Sequence, residues 1–174
     1  VDVFFALSHG VHRGKLKSGK EDDRIVFLDK LQKITPNIKF DLYGINNIQP
    51  IWADHYFKTI ANAKMGLNLS RGDAIKYYSS DRITQIVGNG LVCLIDEKTQ
   101  YRNFFNDKEM VFYKNVNDLS EKILKISNDE KLRKQIAKNG KNKYMKNFNS
   151  NIVAEYIINK SLDINLKKKY LWET

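Results

Sequence analysis

Directly after its first apolar stretch the chain reads Ser8-His9-Gly10-Val11-His12-Arg13-Gly14-Lys15, continuing to Lys17-Ser18-Gly19-Lys20. Glycines let backbone N–H groups close on a phosphate, and Arg13, Lys15 and Lys20 supply the charge to neutralise it. A second group lies in Ser79-Ser80-Asp81-Arg82-Ile83-Thr84-Gln85-Ile86-Val87-Gly88-Asn89-Gly90. Ser79 and Ser80 are suited to start a helix whose free N–H groups and dipole favour an anion. Arg82, one turn in, reaches the same anion; a structural ion pair is its ordinary alternative. His9 and His12 stand three apart without a third ligand nearby, so no metal site is expected. Cys93 falls inside an apolar run, where a thiol is an inert core residue.

Gly14 to Lys20 also fits glycine, any four, glycine, lysine, the phosphate-cradling pattern of nucleotide triphosphatases. That pattern continues with Ser or Thr to hold magnesium, whereas Glu21, Asp22 and Asp23 follow here. Three carboxylates there repel the phosphates such a loop must hold. Residues 91–95, ending in Asp96 and Glu97, suit the second, acidic magnesium motif of those enzymes, but any buried strand can end so. A phosphate-loop (P-loop) nucleotide triphosphatase therefore stands as the alternative.

Such groups must be positioned by the elements around them. Residues 1–7 read as a strand buried on both faces. Asp22 or Asp23 caps a helix with Ile25, Val26, Leu28, Leu31 and Ile34 on one side, stopped by Thr35-Pro36-Asn37. Ile38, Phe40 and Leu42 predict a second strand ending at Gly44. Trp52, Tyr56, Phe57, Ile60 and Ala63 recur at helical spacing, and Met65, Leu67 and Leu69 alternate as a third strand. A short helix spans 80–87, closed by Gly88-Asn89-Gly90 as a left-handed cap. Residues 91–95 and 110–113 predict two more strands. From Asn117 the pattern is helical, with a break expected at Gly140, and Ile152, Val153, Tyr156 and Ile157 mark a last amphipathic stretch. Strand and helix alternating in this way give an α/β fold with a parallel sheet covered on both faces. Ligands of such sheets bind beyond the carboxyl ends of the strands, which points to loops 8–21, 43–50 and 70–80.

The chain has 174 residues, enough for one domain, and 42% are hydrophobic, enough for a core. One cysteine excludes an internal disulfide framework, and no apolar run approaches the roughly 18 residues of a membrane span. Lys and Arg outnumber Asp and Glu by 30 to 20, a net charge of +10 that favours a polyanionic partner. Lys, Asn and Ile share A/T-rich codons, however, so the charge weighs little. A non-catalytic basic α/β module binding nucleic acid is a third alternative, though no nucleic acid is the expectation adopted. The opening Val1-Asp2-Val3-Phe4-Phe5, strand-like and without methionine, suggests a fragment of something longer.

The stretch RITQIVGNGLVCLI from Arg82 resembles the donor-binding, C-terminal domain of GT-B glycosyltransferases of the "glycosyl transferases group 1" type. ANAKMGLNLS, from Ala61 to Ser70, resembles the strand that precedes their site loop. Asp118, Leu119, Glu121, Ile123, Asp129, Leu132, Arg133, Ala137, Gly140 and Tyr144 match their terminal helices. The resemblance implies a Rossmann-like half of a GT-B fold over residues 1–160, with a basic tail at 161–174. It implies a nucleotide-diphosphate sugar as donor, no metal and no other cofactor. Arg13, Lys15, Lys20, Ser79, Ser80 and Arg82 would take the diphosphate, Gln85 the ribose, and Tyr43 and Gly44 the base. Many members carry two glutamates eight positions apart; Tyr77 and Gln85 stand there, leaving Tyr77 and Asp81 for the donor sugar. An N-terminal acceptor-binding domain would be the missing partner, and catalytic residues stay unassigned. The family's role implies cytoplasmic synthesis of a cell-surface glycan. The tail, with Leu166, Lys167, Lys168, Lys169, Tyr170 and Trp172, is expected to pack on the absent domain or touch a membrane, a solvated C-terminus being the commoner case.

Overall fold

A computed structural model describes residues 1–7, 22–78, 80–166 and 169–173. Five short strands, β1 (Val3–Ala6), β2 (Phe40–Tyr43), β3 (Met65–Asn68), β4 (Val92–Asp96) and β5 (Val111–Tyr113), form one sheet. Its order is β2-β1-β3-β4-β5 and every pairing is parallel. Parallel neighbours need crossovers, which α1 (Asp23–Ile34), α2 (Ala53–Ala61), α3 (Asp81–Gly88) and a pair of 3-10 turns provide. The C-terminal part is helical: α4 (Val116–Asn128), α5 (Glu130–Asn147) and α6 (Ser150–Ser161).

Alternate strand residues divide the core in two. Val3, Phe5, Met65, Leu67, Val92 and Leu94 pack with Leu28 and Leu31 of α1 and Leu119 and Ile123 of α4. On the opposite face Phe4, Cys93, Ile95 and Phe112 pack with Ile60 of α2 and Ile83, Ile86 and Val87 of α3. The α/β sheet covered on both faces is thus the observed architecture. Central β3 is buried throughout, because helices cover both faces where an alternating pattern suggested one.

Several sequence expectations change. In α1 the buried stripe is Arg24, Leu28 and Leu31, while Val26 is 60% exposed. Val26 lies two positions, some 200°, from the stripe, and Arg24 takes an inner position because the Asp22 carboxylate meets it there. Trp52 and Phe57 are exposed beside α2, which buries only Ile60. Gly140 does not break a helix. The break falls at Asp129, whose carboxylate accepts from Leu132 N–H at 2.8 Å, and α5 runs on through Gly140. A β-carbon there would lie 2.2 Å from the Glu109 carbonyl oxygen, so glycine serves close approach.

The tail makes contacts of its own. Tyr170 is buried, and Trp172 packs on Phe148 and Tyr156 with ring centroids 5.4 and 5.5 Å away. These aromatic side chains thus make contacts within the domain. Among the described residues no helix is long and apolar enough to cross a membrane.

Candidate functional site

The sheet's order reverses between β1 and β3, and ligand crevices in such sheets open beyond the carboxyl ends at that point. A cleft of about 380 Å³ lies there, lined by Arg24, Arg71 and Arg82, by Asp73, and by Ser70, Ser80 and Tyr78 among others. Helix α3 starts at its edge for local reasons. Ser80 is extended (φ −92°, ψ 153°) and its carbonyl accepts the first helical bond, from Ile83 N–H. Its far end closes in a Schellman motif: Leu91 N–H donates to Ile86 O at 3.1 Å, and Gly90 (φ +77°) N–H to Val87 O at 3.0 Å.

The N-terminus of α3 has no side-chain cap. Helices α1, α4, α5 and α6 are capped by Asp22, Asn115, Asp129 and Asn149. Ser80 instead donates its hydroxyl to Asn68 Oδ1 at 2.8 Å. The first amides of α3, with the positive end of its dipole, are left for an anion. Arg82 extends beside them. Its Nη1 donates to Asn68 Oδ1 at 3.3 Å and to the Leu69 carbonyl at 3.2 Å, and its guanidinium lies 5.2 Å from the Phe5 ring centre.

Arg82 is largely buried, and no carboxylate among the described residues pairs with it. Burial, and then the nearby Arg24 charge, lower its pKa from the ordinary arginine value. Guanidinium stays protonated at neutral pH regardless. Arg24 differs, being held by Asp22 through Nε at 2.9 and 3.1 Å. Burial raises the Asp22 carboxyl, but hydrogen bonds from the Arg24 side chain and backbone outweigh it, leaving Asp22 below its usual range. One acid of the Glu21-Asp22-Asp23 run is therefore paired, while Arg82 is a largely buried cation without an ion pair among the described residues, in a cleft that Asp73 also lines.

Ser80 and Arg82 thus meet at the cleft as expected. Arg13, Lys15, Lys20 and Ser79, together with His9 and His12, lie outside the described residues. Tyr43 and Gly44 end β2; the Tyr43 ring rests on Phe4 and His55, and a β-carbon at Gly44 (φ +72°) would strike the Leu7 carbonyl. Gln85 sits one turn beyond Arg82 on α3, half-buried, and is not among the residues that line the cleft. Asp81 is exposed in the first turn. The Tyr77 ring lies 4.9 Å from that of Phe104, and its hydroxyl accepts from Asn103 Nδ2. Cys93 is buried in mid-strand, its thiol pushed up to about 12 by burial. Asp96 accepts from Lys98 N–H at 2.8 Å, and Glu97 pairs with Arg102 at 2.8 Å. The acids of the magnesium motif are therefore engaged in local structure.

Sequence reasoning missed Asn68 and Arg24. An asparagine within an apolar strand, at the end where ligands bind, was the available signal for the first. Nothing in the helical pattern marked the second.

The five-stranded parallel sheet with a cleft at its switch point is a Rossmann-like α/β domain. A family model described as "Glycosyl transferase-like" matches residues 24–159, and the chain belongs to that family. Solved structures share the fold at low identity. HepE from Anabaena, in complex with UDP, superposes with a TM-score of 0.66 at 12% identity, over 92% of this chain and 48% of its own. A TarM variant from S. aureus, in complex with fondaparinux, alpha-GlcNAc-glycerol and UDP, gives 0.63 at 13%, over 94% and 35%. The C-terminal domain of LpcC, a glycosyl transferase group 1 family protein from Francisella tularensis, gives 0.56 at 9%, over 85% of each chain. The fold is that of the C-terminal half of GT-B glycosyltransferases, and the chain spans between a third and a half of the HepE and TarM lengths. No curated protein sequence matches.

Proposed function

We propose that this domain binds a nucleoside-diphosphate sugar and acts as the donor half of a glycosyltransferase. The observation that carries this is Arg82, buried beside the uncapped start of α3 and without a carboxylate among the described residues. A buried lone cation is costly, and a diphosphate offsets that cost through charge-assisted hydrogen bonds. The UDP in the complexes of the HepE and TarM neighbours supports this chemistry. Arg13, Lys15, Lys20 and Ser79 would complete the phosphate shell, with Gln85 at the ribose and Tyr43 and Gly44 near the base.

In transfer, the bond between the anomeric carbon and the diphosphate breaks while the acceptor hydroxyl oxygen bonds to that carbon and releases its proton, to the departing diphosphate or to solvent. Charge grows on the departing diphosphate, where Arg82 and the α3 amides are already oriented. Neither needs a metal ion. The acceptor, a glycan or similar hydroxyl compound made for the cell surface at the cytoplasmic side, would be bound by a second domain.

The test is a thermal-shift series on residues 1–174 with UDP, GDP and ADP, with and without EDTA. A ligand that binds only the native state must raise the melting temperature. At least one diphosphate should do so, unaffected by EDTA. A shift seen only with triphosphate and magnesium would overturn the reading. This chain alone should bind donor yet transfer no sugar; robust transfer would contradict the need for a second domain.

A further inference from the structure

Asn68 closes β3, the middle strand of the sheet, at its carboxyl end and is only 2% exposed. The rest of that strand is Met65, Gly66 and Leu67, so a buried carboxamide there has to be explained by what it binds. Its Oδ1 accepts from the Ser80 hydroxyl at 2.8 Å and from Arg82 Nη1 at 3.3 Å. A guanidinium carries donors only, so the atom facing Arg82 must be the oxygen, and the amide can take one orientation. Nδ2 is then directed elsewhere, buried and without a hydrogen-bond partner. Buried donors are ordinarily satisfied, and this unmet one is the cost of presenting a neutral oxygen to Arg82.

Aspartate has the same shape and would carry no unmet donor. It would, however, bring a carboxylate to a largely buried guanidinium that has no ion pair among the described residues. A charge-assisted pair in that setting is strong, and a diphosphate would have to displace it and face a second negative charge as well. The cleft contains both arrangements. Arg24 is paired with the Asp22 carboxylate, whereas Arg82 is held by two neutral oxygens, Asn68 Oδ1 and the Leu69 carbonyl. Both of these engage Nη1, so Arg82 Nε and Nη2 have no protein acceptor among the described residues.

Resting on the donor reading above, we infer that Asn68 is a positioning residue for the diphosphate: it aims the Arg82 guanidinium at the cleft while leaving its charge for the ligand. Asn68 acts through Arg82, and its uncharged oxygen is what matters.

The test measures UDP, GDP and ADP affinities by calorimetry on residues 1–174, with melting temperatures taken without ligand. Asn68→Asp keeps the shape and the acceptor, whereas Asn68→Ala removes the acceptor and adds no charge. For a residue that only supports the fold, alanine would be the more harmful change in every measurement. The positioning role predicts the reverse order for binding. Asn68→Asp should weaken the diphosphate about tenfold to a hundredfold, as loss of the Arg82 charge would, and Asn68→Ala about threefold to tenfold. Melting temperature should fall further in the alanine variant than in the aspartate one. In an Arg82→Ala background, Asn68→Ala should weaken binding by no more than about twofold, because the residue it acts through is gone. Affinities that follow the melting temperatures would overturn the inference, as would an undiminished effect of Asn68→Ala in the Arg82→Ala background. Should Asn68→Asp fail to fold, that second comparison decides alone. Binding by wild type with Asn68→Asp unimpaired overturns the positioning role only, whereas failure of every diphosphate to bind wild type overturns the donor reading and this inference with it.

Discussion

Arg82 is where residue-scale physics and function meet. Its guanidinium is fixed by two acceptors through Nη1 and is placed at the cleft. Arg82→Ala should therefore weaken diphosphate binding by about 1.5–3 kcal/mol, roughly tenfold to a hundredfold, with the fold intact by circular dichroism. Gln85→Ala should cost less, since only neutral bonds to ribose are lost. A titration showing Arg82→Ala silent would sink the assignment. Asp22 makes a pH-dependent contribution whose sign is set by its depressed carboxyl. Such a group stabilises the fold above its unfolded pKa, about 3.9, and the stabilisation is lost as pH falls through the lower folded value. Asp22→Asn should then show a shallower loss of melting temperature than wild type between neutral pH and that acid range. Parallel curves would show the Arg24 pair to be idle. Chemistry at Cys93 is the reverse case: with the thiol pushed up to about 12 and buried, iodoacetamide at pH 8 should label only unfolded protein.

Elements obey the same rules through shape, and two glycines show this with opposite signs. At Gly140 a β-carbon would sit 2.2 Å from the Glu109 backbone oxygen, and backbone cannot swing aside. Gly140→Ala should cost about 3 kcal/mol, the upper end of overpacking. Gly88, in the last turn of α3, has nothing within 4 Å of that position. Gly88→Ala should stabilise by about 0.5–1 kcal/mol, because a helical residue gains from losing glycine's freedom in the unfolded chain. Denaturant midpoints of the two variants moving the same way would contradict the geometry. The pair also marks what was legible in advance. Periodicity placed all five strands and most helices, because a buried strand or a helical stripe is a local pattern. It read Gly140 as a stop, because whether another backbone passes within contact is a tertiary fact. Ser80 and Arg82 were legible from a helix start after a strand. Arg24 was not, since its inner position depends on the Asp22 carboxylate that meets it there.

At the scale of the whole molecule, the question is what the basic, aromatic C-terminus holds. Helix α6 buries none of its own residues fully, and Ile157, Ile158 and Leu162 on it and just beyond are more than half exposed. What fixes it is Tyr156, packed against Tyr170 and Trp172 at ring-centre distances of 5.0 and 5.5 Å. Trp172 in turn reaches Phe148, which stacks on Tyr144 and Phe105 and so joins the face of the core under α3. The C-terminal aromatic residues are thus a clasp from the end of the chain to the sheet. Trp172 is half-buried, so Trp172→Ala should cost about 2 kcal/mol, below the 3–5 of a fully buried tryptophan. For a chain of this size that is a fall of about 4–8 °C in melting temperature. Cleavage within residues 162–173 by trypsin should quicken as the clasp loosens, while diphosphate affinity at the Arg82 cleft, which Trp172 does not line, stays unchanged. A tail whose aromatic residues served a membrane would behave oppositely: Trp172→Ala would leave the melting temperature in place and lower retention on anionic vesicles. Calorimetry and vesicle sedimentation on the same variant separate the two, and the contacts to Phe148 and Tyr156 favour the first.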